Sequence, residues 1–386
     1  MIRRMKWWSM LAVLAMLMAA CGDDGAATTT VPSTGDTQPA DDETPDTTMA
    51  DETGGSCAVD ETDGELNLYN WSEYIDPELI TQFEEQHGVD VIETFYDSNE
   101  TMLAQIQAGV VYDLIVPSDY MVAIMIEEGL LMPLSLEAIP NVSNLGAEFQ
   151  NLPYDPDGAY SVPYQWGTTG LGVDLSVVGE DFDPSWALAF DPDLTASYPG
   201  GVSLLNDPRE TIGAALKYLG YGLNETSEEA LQEAADLIAA ANVTVFDSDQ
   251  YPDNLVNGEV AVSHGYSGNF FTAFFEAEDP DNFAYVIPNE GATLWTDNMA
   301  VTANAEHPCT AHTFINFIMD ADNGAQLTNW TYYASPNEAA EASIVEEVLE
   351  DPAIYPDEAT FELLEAIEDT GDDELLFTDY FNIARS

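Results

Sequence analysis

The chain has 386 residues, with 72 Asp+Glu against 6 Lys+Arg and a formal net charge of −66. That length suffices for two lobes with cores of their own. The charge disfavours nucleic acid and anionic lipid as partners of the folded part and attracts cations, although most of these carboxylates read as a solvated acidic coat.

Residues 1–20 read as a secretory signal. Arg3, Arg4 and Lys6 precede the apolar run SMLAVLAMLMAA, which is too short to span a bilayer. The Ala19-Ala20-Cys21 junction is similar to a bacterial lipobox, with Met18 where Leu is usual, so Cys21 is expected to carry a lipid anchor. Residues 21–64 hold Thr, Asp, Pro, Gly and Ala with almost no large apolar side chain. Such a segment buries too little surface to offset its conformational entropy and is expected to be a disordered acidic linker. A flexible chain of about 40 residues reaches roughly 35 Å. Without the signal only Arg209, Lys217 and Arg385 remain as cations, and 3 − 72 gives −69. Cys57 and Cys309 are then an even pair in an oxidising compartment, with a disulfide and two free thiols both open.

From residue 65 onward strand and helix alternate. ELNLYNW is strand-like, and DPELITQFEEQHG begins with an Asp76 cap and Pro77 and ends at Gly88. VDVIETFYD, SNETMLAQIQAG, YDLIVPSD and YMVAIMIEEG continue the alternation. Three such units predict an α/β fold with a mostly parallel sheet, whose strand ends carry Trp71-Ser72-Glu73-Tyr74 and Ser118-Asp119-Tyr120. Ligands of open α/β sheets bind beyond the carboxyl ends of strands. In the second half, GGVSLLNDPRETIGAALKYLG predicts a strand, a turn at Asp207 and a helix, and SEEALQEAADLIAAA a helix capped by Ser227. GEVAVSHGYSGNFFTAFF predicts a strand, a Gly-rich turn and a helix, and FAYVIPNEGATLWTDNMAVTAN two strands joined by a turn at Asn289-Glu290-Gly291. The expected organisation is a first lobe over 65–170, a second over 171–295, and a return to the first with C-terminal helices over 296–386. Strands cross between the lobes near Thr168–Val173 and Leu294–Val301.

The phrases LYNWSEYI, FYDSNETM, YDLIVPSDYMV, YSVPYQWGTTGLGV, LLNDPRE, NGEV, LWTDNMAV and YYASPN occur in the order and at the approximate spacings of one family. Over residues 66–340 the chain resembles the spermidine/putrescine-binding proteins of ABC importers. The resemblance implies a two-lobed type II periplasmic solute-binding fold with a hinge between the lobes. It also implies a polyamine ligand held in the interlobe cleft, a permease and its ATPase as partners, a monomeric state, and no cofactor. The ligand-binding residues it implies are Trp71, Ser72, Tyr74, Ser118, Tyr120, Asp207, Glu210, Tyr266, Trp295, Asp297 and Tyr333. Tyr266 stands where an aromatic residue, often Trp, is found. The C-terminal Gln used by members that bind longer polyamines has no counterpart around Ala366–Glu368.

The same residues suit that chemistry without the family. A polyamine alternates methylenes with ammonium groups, so its site needs flat apolar walls and spaced carboxylates. Aromatic faces supply walls and cation–π attraction of about 0.5–2 kcal/mol each. Carboxylates supply charge-assisted hydrogen bonds. Asp297 is expected to take an inner nitrogen between Trp295 and Tyr266, and Asp207 with Glu210 a terminal one. Enzymatic readings find little support: GYSGN lacks the last Gly of a nucleophile elbow, no phosphate loop with Lys is present, and His307, Cys309 and His312 are broken by Pro308. Two other readings remain: the same fold for another small organic cation or amino-acid-derived solute, and an acidic surface interaction protein.

Overall fold

In the computed structural model, which describes residues 57–386, the run LNLYNW forms β1 (Leu66–Trp71). Asp76 caps α1 (Pro77–His87) by accepting from the Glu78 N–H, and Gly88 ends it at φ 69°. Pro77 fills the first turn, where a missing N–H costs nothing, and glycine tolerates the left-handed cap. β2 (Val91–Tyr96) lies parallel to β1, and Ser98 caps α2 (Asn99–Gln107). β3 (Leu114–Ile115) pairs parallel on the other side of β1 and leads into α3 (Asp119–Glu127).

A long strand, β4 (Ser161–Asp174), opens the second half and is buried along its whole length. There follow β5 (Val202–Leu204), α4 (Pro208–Leu219), α5 (Glu228–Ala240), β6 (Val243–Phe246), β7 (Val262–Tyr266) and α6 (Ser267–Glu276). β8 (Phe283–Val286) and β9 (Thr293–Val301) precede α7 (Pro308–Ile318), α8 (Ala321–Thr331) and the terminal α9 (Glu374–Ala384). One sheet runs β2-β1-β3-β9-β4-β7-β5-β6, with β8 also on β4. Its two outer parts are parallel. The central pair, β4 and β9, is antiparallel, and each strand continues into the opposite part: β9 reaches β3, and β4 reaches β7. These are the crossings between the lobes.

Leu66, Phe83, Leu114 and Phe314 centre one core of the first lobe, and Tyr69, Met102 and Met121 another. Trp186, Ile212, Leu231 and Phe377 centre the core of the second. A further cluster with Trp166, Tyr251, Phe270 and Tyr285 lies along the crossing strands.

Three expectations change. Residues 57–64, expected as linker, are anchored to α7: Cys57 and Cys309 form a disulfide with Cα atoms 5.3 Å apart. Beside it, Thr310 N and Oγ1 both donate to Asp63 Oδ1 at 3.0 Å, and Thr313 Oγ1 donates to the Glu61 carbonyl at 2.7 Å. Polar contacts made 247 to 252 residues away hold this segment, and its apolar-poor composition does not announce them. β8 and β9 are the two expected strands with the turn at Asn289-Glu290-Gly291 between them, and both lie on β4, at Leu171–Asp174 and Ser161–Thr169. Ser227 occupies the N-cap of α5, yet its hydroxyl caps nothing. Finally, the C-terminal helix returns to the core of the second lobe, through Phe377 and Phe381. All three cations of residues 57–386 serve that return. Arg209 Nη1 meets Glu374 Oε2 at 2.6 Å, Lys217 Nζ meets Glu365 Oε1 at 2.5 Å, and Arg385 lies 4.9 Å from the Phe246 ring centroid. The signal, Cys21 and linker residues 21–56 lie outside the described residues. No described helix is long and apolar enough to cross a membrane.

Candidate binding site

Asp297 sits in the middle of β9, where the crossing strand passes the first lobe. It is 6% exposed, and both oxygens are engaged by hydroxyls: Tyr74 Oη donates to Oδ2 at 2.8 Å and Ser118 Oγ to Oδ1 at 2.7 Å. Ser118 holds the N-cap position of α3 but makes no cap bond, because its hydroxyl is turned to Asp297. Asn99, the first residue of α2, steadies it: Asn99 Nδ2 donates to Ser118 Oγ at 3.0 Å, and Ser118 N donates to Asn99 Oδ1 at 3.2 Å. Burial pushes the Asp297 carboxyl up to about 7, against the two hydroxyl bonds. Among the described residues no ion pair involves Asp297. A buried carboxylate without a cation is costly to ionise.

Aromatic rings line the approach. Tyr74, Tyr333, Trp295 and Tyr266 form an edge-to-face series with centroid separations of 5.3, 5.1 and 6.1 Å. Two glycines allow this series to press on the backbone: a Cβ at Gly167 would come within 2.7 Å of the Trp295 ring, and one at Gly268 within 2.7 Å of Tyr333. Gly268 belongs to GYSGN, whose turn therefore serves ring packing. Asn269 of the same turn accepts from Tyr333 Oη at 2.7 Å. Trp295 is 8% exposed, and its Nε1–H is buried without a hydrogen-bond partner.

A second acidic group comes from the start of α4. Asp207 Oδ1 accepts from the N–H groups of Arg209 and Glu210 at 2.9 and 3.0 Å, a helix cap in which the dipole also favours the charge. Glu210 is 4% exposed and accepts from Thr169 Oγ1 at 2.9 Å and Thr293 Oγ1 at 2.8 Å, one hydroxyl from each crossing strand. Burial and then the Asp207 charge push Glu210 up to about 8, while the two hydroxyls and Arg209 pull it down. Burial raises Asp207 as well. Tyr120 is half-buried, and its hydroxyl donates to Glu100 Oε1 at 2.9 Å.

Eight of the eleven residues expected from sequence thus fall into three bonded or ring-contacting groups: Tyr74 with Ser118 and Asp297, Asp207 with Glu210, and Tyr266 with Trp295 and Tyr333. Tyr120 is bonded instead to Glu100, which is not among the eleven. Trp71 is turned into its own lobe, its Nε1 donating to the Val116 carbonyl at 2.9 Å and its ring 4.4 Å from Tyr96. Ser72 is exposed, as is Glu73, which adopts φ 55°. Near the C-terminus Ile367 is buried, while Ala366 and Glu368 lend their carbonyls to Asn224 and Arg209. Sequence reasoning missed Asn99, Glu100, Thr169, Thr293 and Asn269. The phrase SNETM was legible as a helix start and as part of the family resemblance but not as a site, and hydroxyls on buried strands carry no signal of their own.

Two α/β lobes joined by crossing strands, with carboxylates and rings converging at the crossing, define a solute-binding protein of the extracytoplasmic type. Comparison places it further. The model of the bacterial extracellular solute-binding proteins matches residues 78–356, and the chain belongs to that family. It is 35% identical over 312 residues to the putrescine/cadaverine-binding protein of Pseudomonas aeruginosa, covering 79% of this chain and 88% of that one. It is 34% identical over 332 residues to the spermidine/putrescine-binding periplasmic protein of Escherichia coli, covering 85% and 93%. Among solved structures, a putative spermidine/putrescine ABC transporter protein from Listeria monocytogenes superposes with a TM-score of 0.78 at 34% identity, covering 84% of this chain and 99% of that one. The family serves solute binding for transport, and the chain is not an enzyme.

Proposed function

We propose that this protein binds a polyamine, putrescine or spermidine, in the cleft between its lobes and delivers it to an ABC importer. The observation that carries the reading is Asp297, a buried carboxylate bonded only to hydroxyls and flanked by Tyr74, Tyr333 and Trp295. An ammonium is the group that such a site lacks. Trp71, Ser72, Tyr74, Ser118, Tyr120 and Tyr333 act from the side of residues 65–170 and the returning 296–386. Asp207, Glu210 and Tyr266 act from 171–295. Trp295 and Asp297 stand on the crossing strand.

Ligand contacts from both lobes favour the closed form, and the permease recognises that form; a ligand shifts the hinge only by binding the closed state more tightly. The similarity to putrescine/cadaverine-binding and spermidine/putrescine-binding proteins supports the ligand class. An amino-acid ligand would need a guanidinium for its carboxylate, and Arg209 is committed to Glu374, the Glu368 carbonyl and Asn224. Outside the cell membrane the protein is held through lipidated Cys21 as a monomer.

Calorimetric titration with putrescine, spermidine and an amino-acid control, at physiological and at high salt, tests this reading. A single saturable polyamine site that survives salt and is lost in Trp295→Ala with Asp297→Asn is the expected result. Heat that fades with salt and ignores both substitutions would assign the binding to the acidic coat.

A further inference from the structure

Tyr74 and Tyr333, whose rings meet beside Asp297, each follow a residue in the left-handed region: Glu73 at φ 55° and Tyr332 at φ 59°. Residues other than glycine rarely adopt that conformation, and it persists only where the surroundings hold it. The holding group is Gln165 of β4, which is fully buried. Its Nε2 donates to the Tyr74 carbonyl at 3.2 Å, and its Oε1 accepts from Thr331 Oγ1, which in turn accepts from the Tyr333 N–H at 3.4 Å. One amide thus bonds the residue after Glu73 and the residue before Tyr332. A second donor from β4, Tyr164 Oη, reaches the same Tyr74 carbonyl at 2.8 Å, and its ring lies edge-on to that of Tyr74 at 5.5 Å.

Successive side chains of a strand point to opposite faces, so two neighbours do not ordinarily meet at one oxygen. Here they do because β4 carries a bulge: Pro163 pairs with Asn298 and Gln165 with Asp297, and Tyr164 between them has no register partner. Such an extra residue re-aims the side chains around it. Pro163, with no N–H to give the ladder, stands beside the bulge, where a strand tolerates proline. The bulge therefore sets Gln165 directly opposite Asp297, while Tyr164 and Gln165 together grip the backbone of Tyr74, whose hydroxyl donates to Asp297 Oδ2.

We infer that Gln165 is a positioning residue for ligand binding: from the bulge of β4 it fixes the Tyr74 loop and the end of α8, and so keeps the Tyr74 hydroxyl on Asp297 with the Tyr74 and Tyr333 rings beside it. The inference rests on the polyamine reading and adds a residue that, being fully buried, acts only through its neighbours. Gln165 and Asp297 face each other in register on the two crossing strands. The carboxylate and the amide that aims its hydroxyl donor therefore keep their relation when the lobes move about the crossing. Without the amide, Tyr74 and Thr331 lose their common partner, and the hydroxyl that orients the carboxylate toward an ammonium is no longer held.

The test is a double-mutant cycle of Gln165→Met and Tyr74→Phe, read by calorimetric titration with whichever of putrescine and spermidine binds the wild type more tightly. Met matches Gln in length and has no N–H to donate. Gln165→Met should weaken binding roughly tenfold, the scale of a lost buried hydrogen bond. In the Tyr74→Phe background, where no hydroxyl is left to aim, the further loss should shrink to about threefold or less. A purely structural role would lower the melting temperature without that dependence on the Tyr74 hydroxyl. Tyr164→Phe, which takes the other donor from the same carbonyl, should show the same dependence and serves if Gln165→Met misfolds. A wild type that binds a polyamine, with affinity unchanged in Gln165→Met and Tyr164→Phe or with equal losses in both backgrounds, would overturn this inference and leave the polyamine reading standing. A wild type that binds neither polyamine would overturn both.

Discussion

Helix α5 and the crossing strands use the same side chain to opposite ends. On α5, Glu228, Glu229, Glu233 and Asp236 are exposed, while Ala230, Leu231, Ala234, Ala235 and Ile238 pack inward. Those carboxylates keep their water and contribute only to the field of the whole molecule. Asp297 and Glu210 have given up water for two hydroxyls each, and burial pushes them up to about 7 and about 8. In a chain with 72 acidic residues, counting acids therefore locates nothing. Burial without a cation narrows the choice, and bonding only to side-chain hydroxyls instead of to backbone N–H groups separates Asp297 and Glu210 from buried Asp155 and Asp174.

The contrast is sharpest at Asp297. Asp297→Asn should weaken polyamine binding by about 3–5 kcal/mol, the scale for breaking a buried charge pair. The empty protein should meanwhile melt at a higher temperature near pH 8, since a neutral amide avoids the buried charge. Titration and thermal melts of the same variant check the two opposite signs; an unchanged affinity would dissolve the distinction between site and coat. Opening the Cys57–Cys309 disulfide, which closes a loop of 252 residues, acts on neither region. Denaturant unfolding of the double Cys→Ser variant should show a loss of about 2–4 kcal/mol, with polyamine affinity unchanged.

A smaller effect follows from the raised carboxyls. Their folded values lie above the ordinary carboxylate range, so the folded state holds these protons more tightly than the unfolded chain does. The associated stability of the empty protein is complete below about pH 4 and is lost as pH rises through about 7 and about 8. An ammonium ligand favours the ionised forms and reverses the trend, so affinity should rise roughly tenfold between about pH 6 and pH 8.5, with protons released on binding. Titration in two buffers of different ionisation heat measures that release; a flat profile would place the ligand away from both groups. The smallest expected effect belongs to the coat: Glu228→Gln with Glu229→Gln should change stability by no more than about 0.5 kcal/mol and leave affinity alone. A loss of binding in that variant would move the site to the surface.

Much of the fold was legible because its signals are local. Asp76-Pro77, Ser98 and Asp207 begin helices where their side chains can accept from the first N–H groups, and Gly88 ends one where only a residue at ease with positive φ fits. The site was legible in outline, since Tyr74, Ser118, Trp295 and Asp297 lie at strand ends or on the crossing strand that the alternation of elements implies. Ser227 shows the limit of a local signal: it has the right residue and position for a cap and makes no cap bond.

By itself, then, the sequence determined the alternation of strand and helix, the helix starts and stops, the family and the set of residue types a cationic ligand would require. Each of these depends on neighbours along the chain or on phrases that can be read in order. Only the tertiary structure decided that Ser118 and Tyr74 converge on Asp297 from 179 and 223 residues away. It alone paired Cys57 with Cys309, laid β8 and β9 end to end on β4, sent Arg209 and Lys217 to the C-terminal segment and sent Arg385 of that segment back to Asn206. The physical reason is common to all of them. A hydroxyl, a thiol or a carboxylate takes its partner from whatever the packed core brings within about 3 Å, and that choice has no local trace in the chain.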